Sequence, residues 1–467
     1  MQNTLNAIPT SADDLPLKPN QALAHLPGPR GHWFGGNIKN LLPNLGPFVR
    51  EQQAIHGNCF TVGLFRNLRA VMLVGPQANE TVLLDKQNNF SSRLGWEVLL
   101  ELFGRNVLVR DFADHRQHRQ LMTHVFKPKA LSSYLDQMNP IIGNALSSYQ
   151  GDVDVYTQTK QMALDIAVKV FAGIPAGPQT KEWNRDLSSV LGNAMAMRIR
   201  LPGTRYSRGL RARDRLRQRL SEELLIRRNA TETVAGQDLF SQLASQQDDN
   251  GAKLSDDDVI DHMFGMLFAA HDTTASSLAM MFWLLANHNE WQERLNSECQ
   301  ALFQRTGSRQ LSHNNLDQLP QVEWVFKEAL RLYAPLQLIP RRTVQGFEFE
   351  GHNIPTNTAI YLVPQAVHFD PNYFPNPQEF DPSRFDPAKS GTKSVDKHDN
   401  SPFTFIPFGK GSHMCLGMHF AYMEIKAVIY QTLLSYQLSL APKEELHLEY
   451  LPIVRPTKPM RVRFTPR

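Results

Sequence analysis

Phe408-Gly-Lys-Gly-Ser-His-Met-Cys-Leu-Gly417 sets one cysteine, Cys415, among glycines, just ahead of an apolar-periodic stretch (Leu416, Phe420, Met423, Ala427, Tyr430, Leu434) that predicts a helix. Glycines let a backbone pass close to a flat ligand, and the amides and positive end of a following helix favour sulfur as an anion. Cys415 therefore reads either as a thiolate ligand or as a small packed thiol, the commoner fate of a lone cysteine. The other cysteines, Cys59 and Cys299, share no ligand-like spacing with it. That argues against a zinc site or a disulfide framework and for a reducing compartment.

Upstream, Ser255 can cap a helix whose first turn holds Asp256, Asp257 and Asp258. If it runs to about Asn287 it is on the order of 48 Å long at 1.5 Å per residue, enough to cross the molecule. Inside it, Phe268-Ala-Ala-His-Asp-Thr-Thr274 places an acid and hydroxyls among apolar residues. Asp272 and Thr273 read equally as an acid–alcohol pair for proton delivery or as a satisfied polar break bonded back to the preceding turn. A second helix over 322–333 carries Glu328 and Arg331 on one face. Such a pair is usually surface decoration, unless it reaches Phe380-Asp-Pro-Ser-Arg-Phe385, where Arg384 can share Glu328 in a buried charge network.

The 467 residues are 42% hydrophobic and 20% charged, with 26 Phe, enough for a sizeable core. A formal net charge of +4 is too small over this length for a nucleic-acid-binding field. No repeat or Gly/Ser-rich linker marks a boundary, so the reading is an extended N-terminal segment over 1–30 and one domain over 31–467. Two short strands are expected within 58–75 and others at 347–350 and 359–363. Mostly helix is expected over 95–230, with charged stretches such as 208–228 as solvated faces, a surface loop over 245–253, and a proline-rich meander over 364–387. The longest apolar run, 278–286, falls short of the roughly 18 residues a bilayer span needs. No membrane span and a cytoplasmic location are expected.

Together, in this order and at these separations, the four motifs resemble the cytochrome P450 superfamily of haem-thiolate monooxygenases, of the soluble bacterial type. The stretch Leu201-Pro-Gly-Thr-Arg-Tyr-Ser-Arg208 and the wider helix pattern are similar to the sterol demethylase and retinoid hydroxylase branch. The resemblance implies a mainly α fold with small β-sheets and a long central helix over haem b (iron protoporphyrin IX). Cys415 would be the iron ligand, Phe408 would shield the thiolate, and Gly417 would permit close helix approach. Ala269 and Ala270 would lie against the cofactor, with Ala270 standing where the family usually has glycine. Asp272 and Thr273 would be catalytic, and His271, at a variable position, would point away from iron. Arg119, His413 and Arg341 would bind propionates, with adjacent Arg342 the alternative to Arg341, and His115 would stand in for the family's tryptophan. Glu328, Arg331 and Arg384 would form the structural network.

The same resemblance implies a pocket lined by Val107, Phe268, Leu338, Ile339 and Ile453, and by the segment 195–202, for an apolar terpenoid, retinoid, steroid or fatty-acid-like substrate. Arg198, Arg200 or Arg205 would meet a substrate carboxylate or lie on the surface. Oxidation would use dioxygen and electrons from a separate ferredoxin or flavodoxin-type donor docking on Lys410, Arg116, Lys127 and Lys129, with the protein a monomer. A peroxide-driven haem-thiolate enzyme and a non-catalytic haem sensor or carrier are the alternatives. An Asp272–Thr273 relay favours dioxygen over both.

Overall fold

The computed structural model describes residues 19–467 apart from 33–34, 44, 65–67, 195, 230–237, 246–252, 390–400 and 442. Most of the expected N-terminal segment, and most of the loop expected over 245–253, lie outside the described residues. The molecule is mainly helical with small sheets. Its longest helix, Asp256–Asn287, starts where the Ser255 hydroxyl accepts the Asp258 N–H at 3.1 Å. Buried side chains run around nearly its whole circumference, as in a helix that forms the middle of a core rather than its edge.

Helix Val155–Ala172 packs along the central helix, and the Thr159 hydroxyl donates across to the Ala275 carbonyl at 3.1 Å. Helix Arg205–Asn229 departs from the expected solvated face. Arg215 and Arg219 bracket the fully buried carboxylate of Asp186, Arg217 reaches Asp257 at 2.9 Å and also Asp261, and Arg228 reaches Asp256 at 3.0 Å. Sequence spacing within one helix shows its charges but not the acidic surface opposite. The first-turn aspartates of the central helix therefore both complement its positive end and hold a neighbour.

Five strands form the larger sheet, in the order Cys59–Gly63, Arg69–Leu73, Ala359–Leu362, Ile339–Thr343, Phe90–Ser91. The central pair, Arg69–Leu73 with Ala359–Leu362, is parallel and the remaining pairs are antiparallel. A second sheet joins Gly151–Asp154, Arg461–Pro466 and Tyr436–Leu440. In the larger sheet Arg341 lies opposite Ile360 and Arg342 opposite Ala359, and the two-residue period of a strand sends the neighbouring arginines to opposite faces.

Helix Pro320–Tyr333 presents Glu328 and Arg331, both fully buried. Arg331 donates to both Glu328 carboxylate oxygens at 2.8 Å, and to the carbonyls of His368, Pro377 and Glu379 at 2.9, 2.8 and 3.0 Å. Glu328 also accepts from the Asp381 amide at 3.0 Å and meets Arg384 at 3.4 Å. The proline-rich meander contains only the short helices Pro364–His368 and Pro382–Phe385, so this network ties it down where a ladder of strands cannot. Glu328→Gln leaves the guanidinium buried with a weakened partner. Urea unfolding should show a loss of about 3–5 kcal/mol, and a variant within about 1 kcal/mol of wild type would mean the pair is not desolvated.

Candidate cofactor and active site

A cavity of about 390 Å³ opens between helix Phe112–Thr123, strand Ile339–Thr343 and the turn Gly411–His413. His115, Arg116, Arg119, Arg341 and His413 are among its lining residues. Gly411 makes the turn fit: its φ is +69°, and a Cβ there would sit 1.8 Å from the Leu83 carbonyl oxygen. Arg119 donates to the Met414 carbonyl at 2.7 Å and Arg341 to the Pro340 carbonyl at 2.8 Å. Among the described residues no carboxylate forms an ion pair with either. Arg342, by contrast, is held by Glu97 at 2.9 Å. Burial lowers Arg119, and brings Arg341 down to about 10, leaving both charged at neutral pH.

The imidazoles of His115 and His413 stack at 3.8 Å with 24° between their planes. Burial first, and then the guanidinium groups, push both down, His115 to about 4. At neutral pH the rings are uncharged hydrogen-bonding groups and the cavity's positive charge resides on arginine. Such a cavity is a receptor for anions.

Beyond Arg119 lies Cys415, whose N–H donates to the Phe408 carbonyl at 2.9 Å. Phe408 in turn packs against Phe326 and Tyr422, at centroid distances of 6.3 and 5.6 Å. Cys59 and Cys299 are buried, whereas Cys415 is solvent-reachable although it lies deep in the protein. Burial pushes its thiol up, and the Gly417 N–H and Arg119 offset only part of that. A stable thiolate there needs a further positive charge, which a bound metal supplies. Gly417 differs from expectation: no protein atom lies within 4 Å of the place a Cβ would take, so its missing side chain leaves open space instead of admitting a neighbouring helix.

On the central helix Ala269 is exposed and Ala270 half-buried, between the buried Leu267 and His271. The Thr273 hydroxyl donates to the Ala269 carbonyl at 2.5 Å, closing on the preceding turn. Asp272 faces the other way. Its carboxylate is fully buried against helix Val155–Ala172, 2.7 Å from Lys160, and accepts from the Tyr156 hydroxyl at 3.4 Å. Burial raises the Asp272 carboxyl, but His271 and Lys160 together bring it below the usual carboxylate range. His271 is itself held to about 4 by burial and is neutral above that, so Lys160 supplies the compensating charge at neutral pH. Its Nε2 meets the Asn184 side-chain oxygen at 3.1 Å. Acid and alcohol, adjacent in sequence, thus occupy different faces of the helix.

Phe268 packs its ring 4.1 Å from that of Phe103, on helix Glu97–Phe103. Val107 belongs to a turn seated on the central helix, where Asn106 rests against Gly265 and a Cβ would stand 2.8 Å from it. Ile453 is buried beside Val454, which donates to the Pro335 carbonyl at 2.9 Å and accepts from Ser276 at 2.6 Å. Leu338 and Ile339 are half-buried in the segment those bonds anchor. The segment 195–202 does not behave as a lining: Met197, Ile199 and Leu201 are exposed, and Met195 lies outside the described residues. Arg200 meets Glu101, and Arg198 and Arg205 bond to backbone carbonyls of Glu97 and Gly192.

Sequence reasoning missed Lys160, and also a buried chain behind the cavity. Arg110 donates to His118 Nε2 at 2.8 Å, and His118 Nδ1 meets His262 Nε2 at 2.8 Å. It joins the helix carrying His115 and Arg119 to the central helix. Residues 144 positions apart leave no spacing signal, so no reading of the chain alone finds them.

A family model described as Cytochrome P450 matches residues 26–464. The chain belongs to the cytochrome P450 family. It is 32% identical over 411 residues to cytochrome P450 136 of Mycobacterium tuberculosis, covering 86% of this chain and 80% of that protein. It is 26% identical over 452 residues to abscisic acid 8'-hydroxylase 2 of Arabidopsis thaliana, covering 96% and 91%. The solved structure of a retinoic acid-bound cyanobacterial CYP120A1 superposes with a TM-score of 0.84 at 27% identity, covering 95% of this chain and all of that one. This P450 is a monooxygenase with haem b as cofactor, using a small-molecule substrate, dioxygen and a redox partner. The residues present fit that group: two carboxylate-bearing arms match two guanidinium groups without ion-pair partners among the described residues, and a reachable sulfur stands beyond them.

Acid should loosen the support of this P450's site. His262 is lowered to about 3 by burial and by neighbouring His118 and Arg110, and His118 is lowered as well. The unfolded chain therefore binds more protons than the folded one between about pH 6.5 and 3. Stability present above that window is lost as pH falls through it, at about 1.4 kcal/mol per pH unit for each such group. Urea unfolding at a series of pH values should show His262→Gln with a shallower acid loss by about one group's slope. An unchanged slope would contradict the burial of a neutral imidazole.

Proposed function

We propose that this P450 hydroxylates a C–H bond of an apolar terpenoid, retinoid, steroid or fatty-acid-like molecule, with electrons from a ferredoxin or flavodoxin-type protein. The observation that carries the reading is one reachable, deeply set cysteine beside two guanidinium groups that lack carboxylate partners among the described residues. The apolar character of Val107, Phe268, Leu338, Ile339 and Ile453, and the retinoic acid in the similar cyanobacterial structure, support the substrate class. Three free cysteines fit a reducing cytoplasm.

In this reading Cys415 holds the iron, with the Gly417 N–H at its sulfur and Phe408 covering its loop. Arg119 and Arg341 bind the propionates, and the neutral His115 and His413 rings offer further hydrogen bonds. When bound, the haem supplies the reductive activation of dioxygen and the transfer of one oxygen atom. Ala269 and Ala270 present a small-residue surface to it, and the extra methyl of Ala270 narrows that surface. The Thr273 hydroxyl, resting on the Ala269 carbonyl, holds a proton on the reachable face of the helix. Asp272, kept ionised by Lys160, receives protons on the opposite face and reaches that hydroxyl through a rotation of its side chain.

Thr273→Ala should bind haem and substrate as wild type does but divert electrons from product, lowering coupled turnover by at least about tenfold. Coupling equal to wild type would remove the proton-holding role. Lys127 and Lys129 are exposed and Lys410 half-buried, with Arg116 at the cavity rim. They form the proposed docking face for the acidic electron donor. Charge reversal at Lys127 and Lys129 should slow reduction several-fold at low salt and little at high salt. Stopped-flow rates that do not change would place the donor elsewhere.

A further inference from the structure

We propose that His271 Nδ1 and the Asp272 carboxylate form one proton-storage site feeding the reaction, with the imidazole set as an acceptor by a hydrogen-bonded chain that ends at Asp165. The inference rests on the relay role proposed above for Asp272 and Thr273, and adds His271 as a positioning residue for it. The chain crosses helices Val155–Ala172, Pro178–Asn193 and the central helix. The Gln161 amide donates to Asp165 Oδ1 at 2.9 Å, the Asn184 amide donates to Gln161 Oε1 at 2.8 Å, and His271 Nε2 meets Asn184 Oδ1 at 3.1 Å. The last contact is longer, with His271 Nδ1 3.6 Å from Asp272 Oδ2. Both residues have no exposure to water, and neither of these atoms has a hydrogen-bond partner among the described residues.

Proton counting accounts for the long contact. Ionised carboxylates accept and do not donate. Between Asp165 and Asp272 stand two amides and one imidazole, which give three donors along the chain for its four contacts. One contact is therefore left without a proton. With a carboxylate at 165, Gln161 turns its NH2 group toward it, Asn184 turns its own toward Gln161, and the neutral His271 carries its hydrogen on Nε2. Its bare Nδ1 then faces Asp272 Oδ2, and a single proton between these two acceptors satisfies both.

The surrounding groups fit this assignment. Burial holds the imidazole neutral above about pH 4. Lys160 and the Tyr156 hydroxyl reach the other oxygen of Asp272, and Arg455, itself paired with Glu449, acts on the carboxylate from strand Arg455–Pro456. At the far end burial raises Asp165, and Thr180, Gln161 and Lys181 counter it. A proton arriving from water at Lys160, whose side chain is 13% exposed, lodges between Oδ2 and Nδ1 and completes the chain. Rotation of Asp272 carries it to the Thr273 oxygen as that hydroxyl gives its own proton to the reaction. His271 and Asp272 then return to their starting charges.

The tautomer is read from nitrogen-15 spectra of histidine-labelled holoenzyme, reduced and bound to carbon monoxide so that the iron is diamagnetic. Loss of signals in His271→Gln assigns them. In wild type at neutral pH, Nε2 should carry the hydrogen and Nδ1 none. Asp165→Asn puts a donor at the far end, lets both amides turn over, and should move the His271 hydrogen to Nδ1, with haem content and thermal unfolding as in wild type. Nδ1 then donates to Asp272 and no longer accepts, so coupled turnover should fall at least about fivefold. A hydrogen on Nδ1 in wild type, or a tautomer that Asp165→Asn does not move, overturns the shared proton and leaves Asp272 and Thr273 as the relay. So does a moved tautomer with undiminished turnover. Coupled turnover of Asp272→Asn equal to wild type overturns the relay itself and this inference with it. The wild-type spectrum decides the proton count even where Asp165→Asn is unstable.

Discussion

A carboxylate and a guanidinium with no exposure to water, Glu328 and Arg331, set the frame on which the rest of the molecule depends. Removing both ions from water is expensive, and only a complete set of partners offsets it. Both charges find one, because the helix supplies the pair and the meander supplies carbonyls, an amide and Arg384. The network reaches further. The carbonyl of His368 accepts from Arg331, and its ring nitrogen accepts the Ile406 N–H at 3.3 Å, two residues before Phe408. The cysteine loop is thereby positioned from the same buried charges that fix the meander.

Charge at the site is divided with similar economy. Two guanidinium groups stay ionised without carboxylate partners among the described residues, while the stacked imidazoles between them are kept neutral by burial. On the central helix the buried Asp272 is balanced by Lys160, so its negative charge is settled on a face separate from Ala269. Any ligand that binds the folded state alone adds to stability by mass action. An anionic group accepted by Arg119 and Arg341 would do so while offsetting the cost of burying their charges.

Much of the architecture was legible because local chemistry dictated it. Ser255 and the three aspartates announced the start of the central helix, and the apolar runs on either side of a polar turn within 58–75 announced two short strands, which the structure pairs antiparallel. Prolines over 364–387 excluded a ladder, and only short helices formed there. What the chain concealed was what faces what. Arg215 and Arg217 looked solvated because their buried partners, Asp186 and Asp261, lie 29 and 44 positions away. Lys160 gave no sign that it pairs with Asp272, nor did neighbouring residues Arg341 and Arg342 reveal which faces the cavity until the strand register was known. Asp272 and Thr273 looked like one device, yet side chains of consecutive helical residues point about 100° apart, and packing decided where each went.

Phe103, on helix Glu97–Phe103, packs its ring against that of Phe268 on the central helix. The role given to the Cys415 sulfur is tested most directly by the absorption of reduced protein under carbon monoxide. Thiolate ligation by Cys415 predicts a strongly red-shifted Soret band in wild type that is lost in Cys415→Ser while haem stays bound. A wild-type band at the unshifted position, or a shifted band that survives the substitution, would contradict it.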